Sequence, residues 1–136
     1  MSTLKVTNVA HETSTLNTLV FDNGGGSGNG RVTTKGTAIS YASTITLDFR
    51  TGNNFSTTLT GNVTFANPSN ISAGQSGVLF ITQDSTGSRT AAFGSYWDFS
   101  DGTAPTLSTG ANQVDVIAWI ARTNTNIAAQ FIGNFS

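Results

Sequence analysis

The sequence predicts an all-β fold: an antiparallel β-sandwich of jelly-roll type over residues 38–136, preceded by an extended N-terminal arm over residues 1–37. Three observations lead there. Short β-branched and aromatic runs alternate with clusters of Gly, Asn, Ser and Pro, while helical periodicity is almost absent. The large apolar residues, among them most of the 9 Phe and both of the 2 Trp, fall after residue 38. Burying one such side chain contributes about 1.5–3 kcal/mol, so the later region can support its own core. Before Gly36 they are few and scattered, and two short strands are marginal alone. The arm is therefore expected to be ordered by contact with sister chains or a neighbouring protein.

The elements follow in order along the chain. Residues 4–7 and 18–21 read as two short strands of the arm, and Leu4, Val6, Leu19 and Phe21 are the expected partner-binding residues. Residues 22–30 (DNGGGSGNG) read as an elongated turn or joint, after which residues 31–34 resume an extended path. Residues 44–49 alternate, with Ile45, Leu47 and Phe49 on one face. A turn over residues 50–54 leads back along 55–60, and Gly61-Asn62 reads as a tight turn into 63–66. Pro68 ends that strand, because proline cannot donate to a central ladder. Residues 77–83 are apolar on both faces through Ile81, which places them mid-sheet and buried. Residues 84–88 turn the chain back into 89–93. Residues 113–121 form a second buried strand, and 127–135 close the sheet after a turn at 123–126.

Composition excludes several function classes. The formal net charge is −1 with 6 Lys and Arg, and no basic run marks a nucleic-acid partner. Charged residues make up 10% of the chain, so the surface is covered by Ser, Thr, Asn and Gly, which suits a protein embedded in an assembly or facing the outside of a particle. With 0 Cys there are no disulfides and no thiolate ligands. No stretch approaches the roughly 18 apolar residues of a membrane helix, so no membrane insertion is expected. The opening residues lack a signal-peptide core, which points to synthesis in the cytoplasm.

The motifs carry no catalytic constellation. In residues 24–31 the glycines miss the G-x-G-x-x-G spacing, and Lys35 follows Thr34 rather than the glycine of a P-loop. The one histidine, His11, lies in the arm, and no G-x-S-x-G elbow exists. No catalytic residue, cofactor or metal is expected. Asp98 and Asp101 are the nearest carboxylate pair, read as a side-chain-capped turn in preference to a calcium site. Tyr96 and Trp97 are candidate surface-binding residues, although Trp97 and Phe99 pointing into the core is the preferred reading. Asp115, on the Ile117 and Trp119 face of an apolar strand, is expected to pair with Arg89 or Arg122.

One resemblance adds to this. Gly74-Gln75-Ser76-Gly77, the run Phe80 to Thr90 containing QDSTGSRT, Phe93-Gly94-Ser95-Tyr96-Trp97, and Ala104-Pro105-Thr106-Leu107-Ser108-Thr109 together resemble a module of tailed-bacteriophage virion proteins. Leu47-Asp48-Phe49 and residues 60–68 fit it too. In the arm, residues 1–6, 17–22 and Gly30-Arg31-Val32 resemble the opening of phage fibre and minor tail proteins, with the turn expanded here by residues 23–29. The resemblance implies a non-enzymatic, homotrimeric structural protein of the virion, assembled in the host cytoplasm beside other tail or capsid proteins. Its expected role is a short tail-fibre-type or tail-associated appendage, docked by its arm and exposing a β-domain for attachment to a host glycan or protein. The alternative is a head decoration (cement) protein that stabilises the capsid lattice. A glycan-binding or glycan-active domain is the third reading.

Overall fold

Alternation of side chains along short extended runs builds the elements. In the segment Asn54–Leu59, Phe55, Thr57 and Leu59 turn inward while Ser56 and Thr58 face water, the period of a pleated strand. The computed structural model describes residues 21–22, 31–32 and 36–135, and these contain no α-helix. The strands are β1 (Phe21–Asp22), β2 (Arg31–Val32), β3 (Gly36–Ala38), β4 (Thr44–Ile45), β5 (Asn54–Leu59), β6 (Val63–Phe65), β7 (Ser76–Gln83), β8 (Ala91–Phe93), β9 (Trp97–Phe99), β10 (Val114–Thr123) and β11 (Asn126–Phe135), with a single 3-10 turn at Ser100–Gly102. Leu4, Val6, His11, Leu19 and the glycines of residues 24–30 lie outside the described residues.

The chain divides into two compact units, Met1–Thr33 and Thr34–Ser136. In the first, β1 and β2 form an antiparallel ladder with Phe21 opposite Val32. In the second, a six-stranded sheet has the order β3-β5-β7-β10-β11-β9 and a three-stranded sheet the order β4-β6-β8. Successive strands from β3 to β8 alternate between the two sheets. Each pairs in parallel with the strand two steps ahead: β3 with β5, β5 with β7, β4 with β6, β6 with β8. The segment is thus a coil of three rungs, β3/β4, β5/β6 and β7/β8, the winding of a β-solenoid. The β10–β11 hairpin then docks antiparallel on β7, and β9 joins β11 in parallel.

The all-β, two-sheet character expected from sequence is present, but the sheets are mixed where antiparallel pairing was expected. The reason lies at the corners. Gly61-Asn62 joins β5 to β6 through a connection short enough for a hairpin, yet β6 pairs in the other sheet. The neighbouring rungs hold this corner: the Tyr41 hydroxyl donates to the Asn62 carbonyl at 3.0 Å, and Asn62 Oδ1 accepts from the Thr90 N–H at 3.0 Å. A Cβ at Gly61 would overlap the Tyr41 hydroxyl, so any other residue here would push that side chain from its place at the corner.

The core runs between the sheets. Phe49 stacks on Trp119 at 4.1 Å and on Phe55 at 5.8 Å, and meets the edge of Trp97 at 6.4 Å. Phe93 ties Phe65, Trp97 and Phe99 together. Ile45, Leu47, Leu59, Leu79, Ile117 and Ile127 fill the remaining space. Such aromatic pairs add about 0.5–1.5 kcal/mol beyond their buried area.

A polar network seals the coil where β7 gives way to the β10–β11 hairpin. The buried Gln83 amide donates to the carbonyls of Arg89 (2.9 Å) and Ser108 (2.8 Å), and its oxygen accepts from the Arg89 N–H at 2.9 Å. Asp84 accepts from the Thr86 and Gly87 N–H groups and from the Arg89 guanidinium at 2.8 Å. The guanidinium hydrogen bond holds the Asp84 carboxyl below the usual carboxylate range and raises Arg89 in return. The expected pairing of Asp115 with Arg89 or Arg122 does not form. Arg89 serves Asp84, Arg122 lies 3.7 Å from Asp98, and the carboxylate of Asp115 takes two backbone donors instead: Ser108 N–H at 2.8 Å and Asn134 N–H at 3.0 Å. A buried carboxylate needs donors, and two amides satisfy it without burying a second charge.

Candidate assembly surface

The two faces of the six-stranded sheet differ. Inward residues of β7 and β10 are the core residues already described. Outward, where soluble sheets place polar residues, Phe80 lies opposite Val116 and Val116 opposite Ile132. Val78 faces Ala118, and Ile120 faces Ala128. Exposure reaches 42% at Phe80, 48% at Ile120, 45% at Ile132 and 49% at Phe135. Val116, flanked by Phe80 and Ile132, is covered by its own neighbours. Residues 77–83 do sit mid-sheet, between β5 and β10. Their second apolar face, expected to be buried, is open in this chain.

Phe135 reaches this stripe through a β-bulge. The β10–β11 register shifts between Val114 and Val116, so Val114 lies opposite Phe135 while Val116 lies opposite Ile132. Asn134 takes the extra position with φ of 65°, a left-handed conformation that Asn tolerates. Asp115 holds the bulge from within through the Asn134 N–H. One buried acid therefore orients an exposed aromatic ring.

Beside the stripe, a shallow groove of about 790 Å³ is lined by Asp98, Ser100, Ile120, Arg122, Ala128 and Gln130. Asp98 accepts from the Asn126 amide at 2.6 Å. The Asp98–Arg122 pair is exposed on both sides, and such pairs contribute little to stability. Asp101 sits in the 3-10 turn at φ of 60°. Among the described residues no three His, Cys, Asp or Glu side chains gather, and no helix is long and apolar enough to cross a membrane.

The sequence-derived candidates separate. Trp97 is 6% exposed; its indole N–H donates to the Ala66 carbonyl at 3.2 Å, and its ring packs on Phe49 and Phe93. Tyr96 is half-buried against the same core, its N–H held by Asn67 at 2.9 Å. Phe21 lies in β1, in register with Val32. The exposed Phe80, Ile120, Ile132 and Phe135 were not among the candidates. Their signal was the double-sided apolarity of two strands, which reads equally as complete burial.

The family model described as "Putative phage tail fibre C-terminal domain" matches residues 32–125, more than two thirds of the chain. No curated protein and no solved structure matches the chain.

Proposed function

Because the chain belongs to the phage tail fibre C-terminal domain family, we propose that it is a tail-fibre-type appendage whose outer sheet face is buried against sister copies in a homotrimer. The family is structural, and its members work as components of the virion beside other virion proteins. One observation carries the finer reading: Phe80, Ile120, Ile132 and Phe135 are exposed in the single chain, on the outer face where Val116 lies covered between Phe80 and Ile132. Soluble monomers seldom leave such a row uncovered, and contiguous exposed apolar patches mark interfaces. The outward positions of β10 from Val114 to Ile120 carry no charge, so copies of this face meet without like-charge repulsion. The arm docks the appendage to the tail, and the remaining β-surface is presented for host attachment.

Quantitative mass spectrometry of purified virions tests the placement. A tail-fibre-type appendage is present in a few to a few dozen copies per particle. Hundreds of copies would assign it to the head lattice as a decoration protein, and absence from particles would overturn the reading. Light scattering of the soluble full-length protein should return a trimer mass.

A further inference from the structure

We draw no further inference here: the strongest candidate, the groove of Asp98, Ser100, Ile120, Arg122 and Gln130 on the outer face of the six-stranded sheet, beside the exposed Phe80, Ile132 and Phe135, belongs to the surface already described, and nothing in the structure shows what covers it.

Discussion

Asp115 is 1% exposed and joins two segments that share no ladder hydrogen bond: the loop at Ser108 and the bulge at Asn134. Asp115→Asn keeps the volume and removes one acceptor. The amide oxygen can serve either the Ser108 or the Asn134 N–H, and the amide nitrogen then points hydrogens at the other. One part-buried donor is orphaned, costing about 1–3 kcal/mol. The surviving bond changes from charge-assisted to neutral, costing about 1 kcal/mol more. The sum is about 2–4 kcal/mol, which lowers the thermal midpoint by roughly 10–20 °C for a unit of this size. Asp115→Ala orphans both donors and should cost about 3–6 kcal/mol. Urea and thermal unfolding followed by near-ultraviolet circular dichroism should rank wild type above Asn and Asn above Ala. An Asn variant within about 0.5 kcal/mol of wild type would refute the clamp. The clamp also requires Arg122→Met and Asp115→Asn to add without coupling; strong coupling would restore the ion pair that the sequence led us to expect.

Other outcomes follow from the same geometry. A Cβ at Gly77 would overlap the Asn53 carbonyl and crowd Trp119, so Gly77→Ala should destabilise by about 1–3 kcal/mol or more, measured by urea unfolding. Asp84 is held below the ordinary carboxylate range by Arg89, so its contribution is present above the unfolded-state value and is lost as pH falls through the lowered one. Asp84→Asn should therefore flatten the acid limb of the stability–pH curve below about pH 4. Phe80→Asp, on an exposed position, should change unfolding free energy by about 1 kcal/mol or less while reducing the mass seen by light scattering to that of a monomer.

Much of the strand content was legible because inward positions alternate: Phe55, Leu59, Val63 and Phe65 announce their faces directly. Direction of pairing was not, since a period of two is the same in parallel and antiparallel ladders. Gly61-Asn62 shows the difficulty. Its length and residue types fit a hairpin, and what makes it a corner is contact with Tyr41 and Thr90, far away in sequence. β9 was missed for a related reason, as its three residues gain their ladder from β11. The QDSTGSRT run stood out in sequence, and the structure gives several of its residues a role: the Gln83 amide makes three bonds, the Asp84 carboxylate takes donors from Thr86, Gly87 and Arg89, and Gly87 lies at φ of 72° against the Thr109 carbonyl. The exposed stripe stayed hidden because a strand apolar on both sides is written identically whether its second face meets its own chain or another one.

The strand order has a consequence for synthesis on the ribosome. The stripe draws Phe80 from β7, Val116 from β10, and Ile132 and Phe135 from β11, so its parts emerge more than fifty residues apart. A nascent chain halted before Asn126 lacks Ile132 and Phe135 and so lacks the finished face. On the trimer proposal, an interrupted product would be missing part of the surface on which copies pack.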